Sequence, residues 1–416
     1  MSKNFAVFFF FVFPIVANAS DWLQWRGPSG NGVAVAGVAS DGTSPPVNFG
    51  ENTNVIWKKM IPGRGHGSPT VFGDRIYLAS ADEATKSQFL MAIDRASGEI
   101  VWQEVLQQNN ALPEIHSKNT HASSTVACDG ERLFVTLYSG DEIWIHCRAL
   151  NGDALWKKGL AKFRPKYAFG YAASPLVYKN LVIATAESEV ENALIGLDRK
   201  TGKEIWRTPR PRNSSYSSPS ILNVGGREQL VMCGGREIRS YDPATGKQFW
   251  KVTGAAKHTA GTVNGEGNFV IASGGYPEKE TTCVVADGSG RIAWKNNQKC
   301  YEQSMLIHKG FVYAMTDKGV AFCWNLQTGE EMWKKRLEGP VSSSPVLVGD
   351  KIYSANEKGK FFVFLATPDR YVELARTTVG SDVFPTPTIL DGRIYARVGV
   401  RSGQIRNEIL YCFGAN

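Results

Sequence analysis

The sequence has 416 residues, of which 43% are hydrophobic and 21% charged, and a formal net charge of +8. This length is ample for a sizeable core, and the 42 glycines and 11 tryptophans favour a turn-rich all-β protein over a helical one. Lys and Arg are scattered among carboxylates, so the positive charge argues against a nucleic-acid-binding protein.

The chain opens with the features of an export signal. Lys3 precedes an unbroken apolar run from Phe5 to Val16, and Ala17-Asn18-Ala19 fits a signal-peptidase site. Such a run is too short to span a bilayer comfortably. We therefore predict a signal peptide over residues 1–19, cleavage before Ser20, and a periplasmic or secreted protein without a membrane span. Residues 20–53 are expected to form an N-terminal strap ahead of the first repeat.

A short turn motif recurs along the rest of the chain. Clear copies are DRASGEIVW (94–102), DRKTGKEIW (198–206) and DPATGKQFW (242–250). The Asp caps a tight turn, Gly supplies its left-handed residue, and Trp fills an apolar gap between neighbouring sheets. The predicted structural tryptophans are Trp57, Trp102, Trp156, Trp206, Trp250, Trp294 and Trp333.

A strand–turn–strand element alternates with this motif. Its clear copies, such as SPTVFGDRIYLAS (68–80) and SPVLVGDKIYSAN (344–356), each read as a β-hairpin. Eight copies align at positions 69, 124, 175, 219, 261, 304, 345 and 387. Spacings of about 41–55 residues are typical of a four-stranded propeller blade. The sequence therefore predicts, over residues 54–416, an eight-bladed β-propeller of four-stranded antiparallel blades, with strands A to D from the axis outward.

The last blade lacks an outer strand, because the chain ends soon after Phe413. The segment from Asn54 to Met60, with Trp57 at the position of the repeat tryptophan, would supply that strand. Such an N-terminal closing strand removes the open edges of the array. The alternative is a seven-bladed ring in which the degenerate segment from Tyr371 to Thr378 is reassigned.

Strand direction separates the connections into two faces. The A–B and C–D turns share one face and are short, whereas the B–C turns and the blade-to-blade connections share the other and vary in length. The longest connections run from Leu106 to Lys118 and from Gly159 to Gly170. Variable loops on a rigid scaffold are where recognition usually occurs. We therefore predict that partners bind to the face that carries them.

One residue per blade is predicted to form a collar at the mouth of the axial channel. Three residues before each aligned position stand His66, His121, Ala172, Tyr216, His258, Tyr301, Ser342 and Phe384. Arg64 and Arg212 lie near them in sequence and would add positive charge. These side chains either hydrogen-bond neighbouring backbone and channel water or bind a small molecule or peptide. No metal is expected, because His66 and His258 come from opposite blades and cannot share one ion.

The seven cysteines, Cys128, Cys147, Cys233, Cys283, Cys300, Cys323 and Cys412, follow no zinc or haem pattern. An odd number leaves at least one unpaired within a single chain. Most of them fall in apolar strand patterns, which favours small buried hydrophobic residues, and no disulfide pairing follows from their spacing.

The repeats resemble those of the pyrroloquinoline quinone-type β-propeller family over nearly all of residues 54–413. DWLQWRGPSGNG at 21–32 also resembles the opening of secreted bacterial members of that family. Within this segment, Trp22, Trp25 and Arg26 are expected to pack against the ring as a plug or strap.

The resemblance implies two kinds of function. Quinoprotein dehydrogenases hold the quinone over the axis with Ca²⁺, a catalytic Asp and commonly a pair of adjacent cysteines, whereas this chain has no adjacent cysteines. The propeller lipoprotein of the outer-membrane β-barrel assembly machinery binds proteins and uses no cofactor, although this chain lacks a lipid-acceptor cysteine at the predicted cleavage site.

We predict a non-catalytic propeller, with no cofactor, that binds protein partners or acts as a scaffold in the cell envelope. The alternatives are a dehydrogenase dependent on pyrroloquinoline quinone and calcium, and a propeller that binds carbohydrate or another small ligand. Without a seat for the quinone no catalytic mechanism remains, because the cofactor itself carries the redox chemistry.

Overall fold

The computed structural model describes residues 21–35, 37–108 and 112–415. The predicted signal peptide, residues 1–19, lies outside them. Within the described residues the regular structure consists of 32 β-strands arranged in eight four-stranded sheets. Neighbouring strands are antiparallel throughout each sheet, so the fold is the predicted eight-bladed β-propeller.

The first four blades follow the chain in simple order from the inner strand A to the outer strand D. Blade 1 contains β2 (Thr70–Phe72), β3 (Arg75–Asp82), β4 (Ser87–Asp94) and β5 (Ile100–Gln107). Blade 2 contains β6 (Ala127–Cys128), β7 (Arg132–Ser139), β8 (Glu142–Ala149) and β9 (Ala154–Lys162). Blade 3 contains β10 (Leu176–Tyr178), β11 (Leu181–Glu187), β12 (Asn192–Asp198) and β13 (Glu204–Pro209). Blade 4 contains β14 (Ser220–Val224), β15 (Arg227–Gly234), β16 (Glu237–Tyr241) and β17 (Gln248–Thr253).

The last four blades keep this order except at the end of the ring. Blade 5 contains β18 (Asn264–Glu266), β19 (Phe269–Gly274), β20 (Glu280–Val285) and β21 (Ile292–Asn296). Blade 6 contains β22 (Leu306–His308), β23 (Phe311–Met315), β24 (Val320–Asn325) and β25 (Glu331–Arg336). Blade 7 contains β26 (Val346–Val348), β27 (Lys351–Ala355), β28 (Lys360–Leu365) and β29 (Glu373–Thr378). Blade 8 contains β30 (Thr388–Leu390), β31 (Arg393–Ser402), β32 (Ile405–Phe413) and the N-terminal β1 (Val55–Ile61).

The N-terminal strand closes the ring as predicted. In blade 8, β1 pairs antiparallel with β32, with Lys58 opposite Tyr411 and Met60 opposite Ile409. The degenerate segment that could have been reassigned forms β29, the outer strand of a complete seventh blade. The seven-bladed alternative is therefore wrong.

The turn motif makes the capping hydrogen bonds and contains the left-handed glycine that its sequence predicts. In blade 1 the Asp94 carboxylate accepts hydrogen bonds from the backbone N–H groups of Ala96 and Ser97, at 3.1 and 2.9 Å. Gly98 has a φ of +76°, and a Cβ added there would lie 2.6 Å from the ring of Trp57 in blade 8. Glycine is therefore required both by the left-handed backbone and by the tryptophan of the preceding blade.

Five of the seven repeat tryptophans also join blades through their indole N–H groups. The Trp102 indole donates to the carbonyl of Leu150 at 3.0 Å, and the Trp333 indole donates to that of Thr367 at 2.8 Å. In both cases the acceptor lies in the C–D turn of the next blade. Each of these five tryptophans thus contributes apolar packing and a directional hydrogen bond across one blade boundary.

A belt of hydroxyl groups runs around the channel at the base of the inner strands. The described residues show this contact at six of the eight boundaries between neighbouring blades. At each of the six, a backbone N–H in one blade donates to a Ser or Thr hydroxyl in the next blade, at 2.8–3.0 Å. The donor–acceptor pairs are Ser68–Thr125, Thr125–Ser174, Ser174–Ser218, Thr262–Ser304, Ser304–Ser344 and Ser344–Thr386. This belt explains why a Ser or Thr precedes proline in the clear hairpin copies.

The N-terminal segment from residue 21 lies against the face that carries the A–B and C–D turns. Trp22 forms a two-bond bridge with Val71 in blade 1, and the Trp25 indole donates to the hydroxyl of Thr262 in blade 5 at 2.8 Å. Arg26, fully buried, donates to the carbonyl of Met305 in blade 6 at 2.9 Å. The strap thus crosses the end of the channel and contacts blades on opposite sides of it.

All seven cysteines are described, buried and unpaired in this structure. Burial raises the pKa of five of these thiols to about 12, namely those of Cys128, Cys147, Cys283, Cys323 and Cys412. A thiol with so high a pKa is a poor nucleophile at neutral pH. The cysteines therefore serve as core residues, and none forms part of the site described next.

Candidate functional site

The register of the inner hairpins defines which residues surround the channel mouth. The pairing of Thr70 with Tyr77 in blade 1 corresponds to Ala127 with Phe134 in blade 2, and to Asn264 with Ile271 in blade 5. The sequence alignment of the weaker copies was therefore wrong by two residues in blades 2 and 5, and by one in blade 6. In the corrected register the collar consists of His66, Ser123, Ala172, Tyr216, Ala260, Glu302, Ser342 and Phe384.

All eight residues of this corrected collar line one cavity of about 360 Å³, here called the collar chamber. The strap residue Trp25 also lines the chamber, and its indole is bound to the hydroxyl belt. Its remaining lining includes His116, Lys118 and Phe169 from the two long connections. A volume in this range is typical of small-molecule sites.

The structure brings together only some of the residues predicted from sequence. His66, Tyr216, Tyr301 and Phe384 line the collar chamber. His121 instead lines a small separate cleft beside Tyr138 and Tyr171. That placement follows from the register shift in blade 2.

Three further predicted residues lie outside the chamber lining. His258 is buried and its Nδ1 donates to the carbonyl of Ser214 at 2.7 Å. Arg64 donates to the carbonyl of Ser117 at 3.2 Å, and Arg212 is exposed in the connection between blades 3 and 4. Arg64 therefore tethers a loop over the mouth, whereas Arg212 adds positive charge to the surrounding surface.

One side of the chamber is aromatic and uncharged. The rings of His66 and Phe384 stack at 4.6 Å with an interplanar angle of 9°. Burial, reinforced by nearby cations of which Arg64 is the first, lowers the pKa of His66 well below its ordinary value, so the imidazole is neutral. The Nε2 of His66 and the hydroxyl of Tyr216 are buried without a hydrogen-bond partner.

The neighbouring side of the chamber, at blades 6 and 7, is acidic. The Ser342 hydroxyl lies within hydrogen-bonding distance of both Glu302 and Glu357, donating to Glu357 at 2.6 Å. The ammonium of Lys118 lies 2.8 Å from Glu357 and 3.6 Å from Glu302. Burial raises the pKa of Glu302, against the opposing charge of Lys118. We call Glu302, Ser342 and Glu357 the acidic corner.

The two long connections meet above the chamber. The N–H of His116 donates to the carbonyl of Ala168 at 2.5 Å, and the Asn119 amide donates to that of Phe169. Residues 112–121 and 163–171 therefore form one lid rather than two free arms. Both predicted loops began too early in the sequence, because Leu106 belongs to β5 and residues 159–162 belong to β9.

Three aromatic side chains, two of them from the lid, form a patch on the loop face. Tyr167 lies 5.8 Å from Phe169 and 6.0 Å from Tyr276 between ring centroids. Phe169 is 38% exposed and Tyr276 49%. The buried ring of His258 supports the patch from below, at 5.9 Å from Tyr167. Tyr167, Phe169 and Tyr276 are called the aromatic patch below.

The surface around the aromatic patch carries positively charged side chains. The ammonium of Lys166 lies 5.5 Å from the centroid of the Tyr167 ring. Arg212 and Lys279 are exposed on connections of the same face. Exposed aromatic rings with nearby cations are typical of protein-binding surfaces.

Within residues 21–35, 37–108 and 112–415, no three His, Cys, Asp or Glu side chains are grouped so as to hold a metal ion. The carboxylates of the acidic corner are engaged by Lys118 and Ser342.

The fold and the site define the class of this protein, an eight-bladed quinoprotein-type propeller with an axial chamber. The profile of the family described as Outer membrane protein assembly factor BamB matches residues 48–164, 88–335 and 278–367. These matches span most of the ring, and the chain belongs to that family. No curated protein is detectably similar in sequence.

Solved structures show the same fold at low sequence identity. BamB from Moraxella catarrhalis is 18% identical, with 86% of this chain and 96% of the other covered and a TM-score of 0.62. A europium-containing methanol dehydrogenase is 13% identical, with 96% and 98% covered and a TM-score of 0.69. The quinohemoprotein alcohol dehydrogenase from Comamonas testosteroni is 13% identical, with 95% and 80% covered and a TM-score of 0.63.

The described part of the chain contains no helix with the length and apolar character needed to cross a membrane.

Proposed function

We propose that this chain is an exported, non-catalytic propeller that binds a protein partner in the cell envelope through its loop face. The observation that carries the proposal is the aromatic patch, in which rings from separate blade connections contact one another while remaining partly exposed. Membership of a family described as an outer membrane protein assembly factor supports the same function.

The chemistry of the patch favours a particular kind of partner segment. Phe169 and Tyr276 offer apolar area that binding would remove from water. Lys166, Arg212 and Lys279 surround them with positive charge, which would steer an acidic segment towards the patch. We therefore propose an acidic protein segment that contains apolar or aromatic anchor residues.

A crosslinking pull-down from the native envelope tests this proposal. The double variant Phe169→Ser/Tyr276→Ser is expected to recover at least tenfold less of the partner than the wild type, because a few buried aromatic contacts carry most of the energy of such interfaces. The matched control is Met60→Ser/Ile205→Ser, which changes two apolar residues on the outer strands that are somewhat more exposed than Phe169 and Tyr276.

The control is expected to retain recovery within twofold of the wild type. If both double variants recover the partner equally well, the loop face is not the binding surface. Thermal melting of each variant separates loss of binding from loss of folding. Because Phe169 and Tyr276 are exposed, their replacement should leave the melting temperature close to that of the wild type.

The export step is also a proposal, since the signal peptide lies outside the described residues. Chemical sequencing of the protein from the periplasm or culture medium is expected to begin at Ser20. An N-terminus that retains Met1 would show that no signal peptide is removed. Blocking signal peptidase provides the control, because the precursor should then accumulate.

A small-ligand function is the second candidate. The observation that favours it is the collar chamber, with its stacked His66 and Phe384 rings and the unpartnered hydroxyl of Tyr216. Carbohydrate was one sequence-based candidate for such a ligand, because sugars stack on aromatic rings. The charges of the chamber, however, favour a different ligand class.

A further inference from the structure

The acidic corner already holds an ammonium group, and that group comes from another part of the ring. Lys118 belongs to the lid over blades 1 and 2, whereas Glu302 and Glu357 belong to blades 6 and 7. To reach them, the lysine side chain extends across the channel mouth. Although burial alone would lower it, the charges of Glu302 and Glu357 raise the pKa of Lys118, so the group is a cation.

The rest of the chamber has binding groups that the protein leaves unused. Tyr216 is only 6% exposed, and its hydroxyl lies near Ser214 without a hydrogen bond of ordinary geometry. The Nε2 of the neutral His66 is likewise buried without a hydrogen-bond partner. Both residues line the cavity of about 360 Å³, together with the ring of Phe384. Buried polar groups without partners are costly, so a ligand that satisfies them would be stabilised.

We propose that the collar chamber binds a molecule with a primary ammonium group on an apolar stem, and that Lys118 is a built-in competitor for the acidic corner. The incoming ammonium would replace that of Lys118 beside Glu302 and Glu357. The stem would pack against the aromatic rings, which would remove its apolar surface from water. A polar group at the far end of the stem would bind His66 or Tyr216. This inference does not depend on the protein-binding proposal.

The same ligand chemistry has two sources, a free aliphatic amine and the side chain of a lysine in a peptide. Cadaverine represents the first, and Nα-acetyl-lysine methylamide represents the second. Nα-acetyl-norleucine methylamide is the uncharged control, because it keeps the stem and lacks the ammonium. Isothermal titration of the mature protein, residues 20–416, measures the affinity for each.

Replacing Lys118 distinguishes a competitor from a structural residue. Lys118→Met keeps the stem and removes the ammonium, so at least one of the two amines is expected to bind at least tenfold more tightly than to the wild type. The uncharged control should gain no affinity. If the methionine variant does not fold, Lys118→Gln serves the same purpose, with the melting temperature as the criterion of folding.

The acidic corner has a matched control on the same face. Glu357→Gln is expected to weaken amine binding at least tenfold, whereas Glu338→Gln should leave it within twofold. Glu338 pairs with Lys360, whereas Glu357 pairs with Lys118. If Lys118→Met increases the affinity for cadaverine alone, the ligand is a free amine. If it increases the affinity for the lysine derivative alone, the ligand is a peptide lysine. Both results support the proposal.

Three results would overturn the inference. One is a folded Lys118→Met protein that binds neither amine. Another is equal affinity for the amine and its uncharged control. The third is saturable binding of pyrroloquinoline quinone with Ca²⁺ that excludes the amines, because the chamber would then be a quinone site. Failure of the partner pull-down would not affect any of these measurements, so the two proposals fail separately.

Discussion

The Glu408→Gln variant is expected to unfold at a markedly lower concentration of guanidinium than the wild type. Glu408 and Arg397 form a fully buried ion pair in blade 8, and Arg397 also donates to the carbonyl of Ala79 in blade 1 at 2.8 Å. Removing the carboxylate leaves a buried guanidinium without a counter-ion. Breaking a buried pair in this way typically costs about 3–5 kcal/mol.

Because this ion pair lies where the ring closes, the loss of unfolding free energy is expected to exceed that from the lost contacts alone. Blade 8 is the blade that joins both ends of the ring, and Arg397 connects it to the inner part of blade 1. The matched control is Glu373→Gln, which breaks a partly exposed pair with Arg376 in blade 7. Exposed pairs contribute about 0–1 kcal/mol. If the two variants lose equal stability, burial of the blade 8 pair is not what stabilises the closure.

The Trp250→Ala variant is expected to lose about 3–5 kcal/mol of unfolding free energy, as large core truncations commonly do. Trp250 is 4% exposed, and its indole donates to the Gln229 amide oxygen at 2.7 Å. The amide nitrogen of Gln229 in turn donates to the carbonyl of Ala286 in blade 5 at 3.1 Å. The substitution therefore opens a cavity and disturbs a buried polar link between two blades.

Two controls separate these contributions in denaturant titrations. Trp250→Phe keeps most of the apolar volume and removes only the indole donor, so a loss of about 1 kcal/mol is expected. Trp144→Ala removes a partly exposed tryptophan of β8 that stacks with Lys157 at 5.7 Å. A loss at Trp144 as large as that at Trp250 would contradict the assignment of Trp250 to the blade-joining core.

The sequence was sufficient to predict the architecture, because the physics of each blade is local. Asp94, Gly98 and Trp102 lie within one turn and one strand, so their spacing identifies the motif without knowledge of the rest of the chain. The closing strand could be predicted from Trp57, whose motif has no hairpin before it. These features repeat, and repetition makes each weak signal strong.

The candidate site was harder to predict, because its collar residues are found by counting back from the proline of each inner hairpin. The weak copies of the hairpin lack that proline. In blades 2, 5 and 6 valine or methionine replaces proline, and the alignment moved to neighbouring residues. The belt hydroxyls of Thr125, Thr262 and Ser304 were a usable signal, since each occupies the position before that residue. With them, Glu302 would have been placed in the collar and His258 outside it.

Other parts of the site could not be read from sequence at all. Lys118 and Glu357 are far apart in the chain, and only the closed ring brings the lid over blade 7. Nothing in the local pattern of residues 112–121 indicates that the loop folds back over the axis. The aromatic patch likewise combines Tyr167 and Tyr276, which come from separate connections.

Closure by the N-terminal strand has a consequence for the order in which the strands are synthesised and paired. In the ring, β1 pairs with β32, and Val55 lies opposite Phe413. The strand that leaves the ribosome first must therefore wait for the strand that leaves last. Throughout that interval the blades can form one after another, but an unpaired edge persists on β1, and unpaired edges promote aggregation. A chain halted before Phe413 would carry nearly all of the blades and still lack a closed ring.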